Sequence, residues 1–217
     1  MSENKHNSPG NPAPGTGTQA DDPVNPSRRR LTGAGLGVSA IFTLASRPVL
    51  AGTCLSPSAA CSGNLSTHGT PPACNGVTPG YWKTHTGTGQ WPSPYLPGSC
   101  TTSSCNTNPK KWSGGTAFHA VFSGSIFKVG GTSLSLEQVM VMNNSSYPGV
   151  KDPDNLGAHI VAALLNAKSG KTPASVLSES AVIGMWNEWV SKGYFEPTAG
   201  VHWNSLQIVN YLKTTMS

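Results

Sequence analysis

Downstream of Arg47 the chain contains no arginine. Arginine is the preferred bidentate reader of phosphate and of guanine, so the sequence pI of about 9.0 does not indicate nucleic-acid binding. The nine lysines beyond that point are scattered, apart from the Lys110-Lys111 pair. Charged residues of both signs make up only 11% of the chain and aromatics 7%. A stretch of about 20 apolar residues, the length needed to span a bilayer, is missing as well. Complete catalytic signatures are also absent: there is no HExxH and no GxSxG. Gly170-Lys171-Thr172 ends like a phosphate loop but has Leu165 where the first glycine belongs, and Ser125-x-x-Lys128 has no partner motif. These absences argue against nucleic-acid partners, a stable membrane anchor and the common hydrolase chemistries.

The N-terminus carries an address. Residues 1–26 contain Pro, Gly, Asn, Ser and Asp with Val24 as the one branched aliphatic, a composition that cannot offset chain entropy by burial and is expected to be a disordered leader. A basic cluster, Arg28, Arg29 and Arg30, then precedes the 16 residues from Leu31 to Ser46, diluted by Gly33, Gly35 and Gly37. Val49 and Ala51 supply the small residues of a cleavage site, so residues 27–51 are expected to be a signal peptide cut after Ala51. Ser27-Arg28-Arg29-Arg30-Leu31 resembles the bacterial twin-arginine signal, which implies the twin-arginine export machinery as a partner. Export to the periplasm, cell surface or medium is the expected destination. Cleavage would leave 166 of the 217 residues and lower the net charge from +5 to +3, because five basic and three acidic residues leave with the leader.

Cys54, Cys61, Cys74, Cys100 and Cys105 all lie in the first third of the remaining chain. In an oxidising compartment this clustering reads as disulfide stapling. Five choices of the odd cysteine, each with three connectivities, leave 15 arrangements open. The shortest loops, Cys54–Cys61 and Cys100–Cys105, would leave Cys74 free, and an unpaired thiol offers self-association.

Residues 52–115 are rich in Pro, Gly, Ser and Thr and show no sustained period. From residue 116 to 217 the pattern changes to short helices. Thr116 is expected to cap a turn through Phe118 and Phe122, and Ser133 or Ser135 a helix through Leu136, Val139 and Met140. Leu156, Ile160, Ala163 and Leu164 form a stripe closed by Gly170. Thr172-Pro173 opens a helix through Leu177, Ala181, Met185 and Trp189 that ends at Gly193, and Ser205 caps the last one. No sheet is evident. The expected class is therefore mainly α: a small helical domain with an irregular, disulfide-pinned wrap.

Gly76-Val77-Thr78-Pro79-Gly80-Tyr81-Trp82-Lys83-Thr84-His85 is the least random stretch. Together with Asp152-Pro153-Asp154-Asn155-Leu156-Gly157-Ala158-His159 and the block Ala162–Ala167, it resembles exported bacterial proteins that carry a TPGYWKxH segment. Thr84 replaces the Asn common in that family. The resemblance implies an exported, largely helical domain and no assigned activity. Physically, Pro79-Gly80 turns the chain so that Tyr81 and Trp82 can form a platform for a sugar or peptide, with Lys83 and His85 as donors. The competing expectation is a plug that locks the wrap onto the helices.

Cys74, His85, Cys100 and Cys105, with His68 in reserve, could hold zinc, although the Cys74–His85 spacing is not that of a knuckle. Asp152-x-Asp154 resembles the start of a calcium loop, but Leu156 occupies the third ligand position, which favours a helix-capping role. His119 and His159 are expected to be half-buried residues satisfied within the fold, and His202 to be freer. Glu188, between Trp186 and Trp189, has only Glu179 and Glu196 as nearby glutamates for paired-carboxylate work. The composition favours a non-enzymatic exported domain of surface structure, adhesion or assembly. A carbohydrate-binding module or hydrolase around Tyr81 and Trp82, and a Cys/His metalloprotein, are the alternatives.

Overall fold

The computed structural model describes residues 54–62, 72–100, 102 and 104–217. The leader, Arg28, Arg29, the cut after Ala51, and His68 lie outside the described residues. Chain order is α1 (Pro57–Ser62), α2 (Pro79–Trp82), β1 (Ser99–Cys100), β2 (Trp112–Ser113), β3 (Lys128–Val129), β4 (Thr132–Ser133), α3 (Leu136–Val141), α4 (Leu156–Lys168), α5 (Glu179–Lys192), β5 (Phe195–Thr198), β6 (Val201–Trp203) and α6 (Ser205–Thr214).

The mainly α expectation is overturned. The strands form three antiparallel two-stranded pairs, β1–β2, β3–β4 and β5–β6, and much of the segment between α2 and α3 is turns and single 3-10 turns. Strands of two to four residues are too short to show alternation, and β5 contains Pro197, so periodicity could not reveal them.

The helix centre of the fold is α4, against which α2, α3, α5 and α6 all pack. Its residues from Leu156 to Asn166 are buried except His159, so it is apolar nearly all round, as a central helix must be. Asp152 caps it: Oδ1 accepts from Gly157 N at 2.7 Å and Oδ2 from Ala158 N at 3.1 Å. Asp154 and Asn155 both adopt left-handed φ (55° and 57°) to bring the carboxylate there, and Asp154 accepts from the Ser205 hydroxyl.

Other helix starts need correction. Ser135 caps α3 in a capping box with Gln138, as expected for one of two serines. The turn at Phe118–Ala120 is a 3-10 turn with Ala117, not Thr116, at its N-cap. Ser178, not Thr172, caps α5, and Asn204, not Ser205, caps α6 through a box with Gln207. Gly193 ends α5 at φ 82° as expected, a backbone region closed to most side chains.

Both parts of the chain feed one core. Trp82, Trp91 and Tyr95 of the wrap join Phe118, Phe127, Leu164, Met185, Trp186, Ile208 and Leu212. Phe118 meets Phe122, Phe127 and Trp186 with ring centroids 4.6–5.0 Å apart, and Trp186 Nε1 donates to Ser123 O at 2.9 Å. Gln138 Nε2 reaches Pro109 O and Trp112 O, both at 3.2 Å, and ties α3 to the turns beneath it. Cys54 pairs with Cys74 and Cys100 with Cys105, leaving Cys61 free. The Cys54–Cys61 bridge suggested by loop length is thus replaced: α1 places Cys61 near Trp203, while the Cα atoms of Cys54 and Cys74 lie 5.2 Å apart.

Candidate functional site around the Tyr81–Trp82 turn

Thr78 opens α2 as an N-cap, its hydroxyl accepting from Tyr81 N at 3.4 Å, with Pro79 pre-set at the first helical position. The turn sends its two aromatics in different directions. Trp82 is only 1% exposed, and its Nε1 donates to Asn166 Oδ1 at 3.0 Å. Asn166, fully buried on α4, also accepts from Val77 N at 3.0 Å and donates to Val77 O at 2.8 Å. One side chain therefore satisfies three polar groups of the wrap, the buried Trp82 Nε1 and both backbone groups of half-buried Val77. Gly76 continues the clamp: its carbonyl accepts from Ser217 N at 2.8 Å, and a Cβ there would lie 2.2 Å from Thr215 O.

Tyr81, in contrast, is 37% exposed. The His85 ring lies flat on it with centroids 3.7 Å apart and planes at 11°, and Lys171 Nζ sits 5.7 Å from the Tyr81 centroid. His85 Nδ1 donates to Tyr81 O at 2.8 Å, which leaves Nε2 uncommitted to that carbonyl. The two aromatics do not form a shared flat platform.

Lys83, half-buried, acts on Glu137 of α3. Glu137 is 0% exposed, and neither carboxyl oxygen has a hydrogen-bond partner among the described residues. Burial pushes its carboxyl up to about 8, against the opposing pull of Lys83. Asp152 is likewise pushed up to about 6, burial outweighing its two backbone N–H donors.

The proposed metal ligands are not brought together. Cys74 is bonded to Cys54, Cys100 to Cys105, and His85 is stacked on Tyr81. Sulfurs in bridges are not thiolate ligands. Among the described residues, no group of three or more His, Cys, Asp and Glu side chains is placed to hold a metal ion. The oxygens of Asp152 are both engaged by α4, so the calcium-loop resemblance has become a helix cap.

The carboxylates around α5 serve the fold. Glu188 pairs with Lys192 at 3.0 Å and accepts from Glu196 N at 3.3 Å, and Glu196 accepts from Gly200 N at 2.8 Å. Glu179 accepts from the Tyr95 hydroxyl and pairs with Lys168 at 3.1 Å. His159 Nδ1 bonds Asn155 O at 2.8 Å, and burial lowers its pKa. His119 Nδ1 bonds Phe122 O at 3.0 Å, with Nε2 buried and unpartnered among the described residues. His202 lies on Tyr194 at 3.9 Å. A groove of about 350 Å³ between the Gly114-Gly115 turn and the β3–β4 hairpin is lined by Thr132, Ser133, Ser135 and Gln138 and has no titratable group in its wall.

Sequence reasoning missed Asn166, Glu137 and Lys171. Asn166 carried a signal, as a polar residue inside the apolar run Leu164-Leu165-Asn166-Ala167, where a buried polar group must find a partner; Glu137, followed by Gln138, carried none. Lys171 carried none, since only the fold brings it beside Tyr81. No family model matches the chain, and no curated protein or solved structure is detectably similar to it.

Proposed function

We propose that the chain is an exported domain without catalytic activity, working in surface structure, adhesion or assembly outside the cytoplasm. The observation that supports this most is the use made of the motif. Trp82, Val77 and Gly76 are spent on holding the wrap to α4 and to the C-terminal residues, so these members of the motif serve the fold. The paired cysteines suit an oxidising compartment. Cys61 is half-buried, with burial raising its thiol pKa, which works against covalent self-association through it.

Cell fractionation followed by intact-mass measurement tests the reading. The expected species starts at Gly52, lies outside the cytoplasm, and is lighter by four hydrogens than its reduced form, two for each bridge. A cytoplasmic protein with an intact leader and five reduced thiols would overturn it.

A further inference from the structure

The surface carries two stacks made of the same three side-chain types. His85 lies on Tyr81 at 3.7 Å with Lys171 Nζ 5.7 Å from the ring centroid. His202 lies on Tyr194 at 3.9 Å with Lys192 Nζ 5.8 Å from that centroid. Their difference is in the counter-charge. Lys192 is paired with Glu188 at 3.0 Å and also feels Glu196. The ion pairs among the described residues are those of Lys168 with Glu179 and Lys192 with Glu188, so Lys171 has no carboxylate partner there.

The unbalanced stack is also held in place by the fold. Tyr81 and His85 stand one turn apart on a segment clamped by Asn166, and Lys171 O accepts from Asn75 N at 3.0 Å. A ligand would therefore find its donors already ordered, which lowers the entropy cost of binding. A neutral sugar ring needs an open aromatic face. Here His85 covers one face of Tyr81 and Trp82 is buried. The set gathered at Tyr81 is its phenol hydroxyl, the His85 ring, which as an imidazolium donates from Nε2 as well as Nδ1, and the Lys171 ammonium, a combination suited to an anion.

We infer that Tyr81, His85 and Lys171 form a recognition site for the carboxylate or phosphate groups of an acidic polymer. A single exposed ion pair contributes only about 0–1 kcal/mol. Useful strength comes from one polymer strand engaging many copies of the domain displayed together. The inference rests on the reading of the chain as an exported surface domain, because that is where such copies would be arrayed.

The test uses the full chain immobilised at high density, with alginate as carboxylate polymer, polyphosphate as phosphate polymer and dextran as neutral control. At low salt, at least one acidic polymer is retained and dextran is not, and raising the salt weakens retention severalfold. Lys171→Gln and His85→Gln each lower retention at least tenfold, while Lys192→Gln, in the balanced stack, leaves it within twofold. Circular dichroism and melting temperature confirm that each variant is folded, and Lys171→Glu serves as a second probe if Lys171→Gln melts early. Retention of alginate alone assigns carboxylate, and of polyphosphate alone assigns phosphate. Failure to retain either acidic polymer, equal retention by folded Lys171→Gln, or an equal loss in Lys192→Gln overturns the site. Export with intact bridges but no retention removes the site alone. Retention by a protein that never leaves the cytoplasm removes the surface-domain reading and keeps the site.

Discussion

The helix α4 and the wrap over residues 72–98 are ordered by opposite means. The helix follows from neighbouring residues: Leu156, Ile160, Ala163 and Leu164 share one face, and Asp152 caps its first turn. The wrap has almost no regular hydrogen bonding of its own. It is held by bonds to partners far along the chain, above all Val77 and Trp82 to Asn166, 89 and 84 residues away. Local pattern suffices for a helix, whereas an irregular segment depends on single distant side chains.

Asn166→Leu should break that contrast most severely. The change keeps an apolar, helix-forming residue on α4 but strands Trp82 Nε1, Val77 N and Val77 O at once. At about 1–3 kcal/mol for the buried Trp82 donor and less for the two half-buried Val77 groups, the loss should be about 3 kcal/mol in urea unfolding. Proteolysis should open the wrap before it reaches α4. A variant within 0.5 kcal/mol of the parent would show that the clamp is incidental.

The second test concerns the charge beneath the motif. Folding raises the Glu137 carboxyl from 4.5 to about 8, so the folded state holds that proton more tightly than the unfolded chain does. Below pH 4.5 both states are protonated and there is no cost. Between pH 4.5 and about 8, stability falls as pH rises, and above 8 the full cost is present. Asp152 adds the same sign between 3.8 and about 6. The charge opposing this shift is that of Lys83, while Lys110 and Lys111 lie in the turn packed on α3. Glu137→Gln should therefore be the more stable protein at pH 9, by on the order of 3 kcal/mol, and should lose most of the downward slope. Parallel stability–pH curves for parent and variant would contradict the buried, uncompensated carboxyl.

Legibility in the sequence tracks this division. The stripe of α4, the Ser135 cap and the Gly193 stop were readable because each is written within about one turn of helix. The plug was readable for Trp82 from the need to bury large aromatics but not for Tyr81, which stays exposed, and the Cys100–Cys105 bridge was readable from its short loop. The pairing of Cys54 with Cys74 was not, because α1 intervenes and carries Cys61 away. Nor were the strand pairs: β1 meets β2 across residues 101–111, and two paired residues leave no periodic trace. At the candidate site, Tyr81 and His85 share a motif, but Lys171 joins them only through the packing of the wrap against the end of α4.

The smallest effect concerns the start of α5, expected from the sequence at Thr172-Pro173 and found at Ser178. Thr172-Pro173 has the form of a cap and first helical residue, yet Thr172 Oγ1 is buried with no hydrogen-bond partner among the described residues. Ser178 Oγ instead accepts from Ala181 N at 3.2 Å and starts α5 six residues later. Between them, Val176 N and Leu177 N both bond Pro173 O, forming a separate turn that buries Val176 and Leu177 before the helix begins. Ser178→Ala should cost about 1 kcal/mol, as the loss of an N-cap does. Thr172→Val removes a hydroxyl that bonds nothing and keeps the shape, so thermal melting should move little or slightly upward. The reverse ranking would mean that the hydroxyl of Thr172 is satisfied and that the proline turn, not Ser178, nucleates α5.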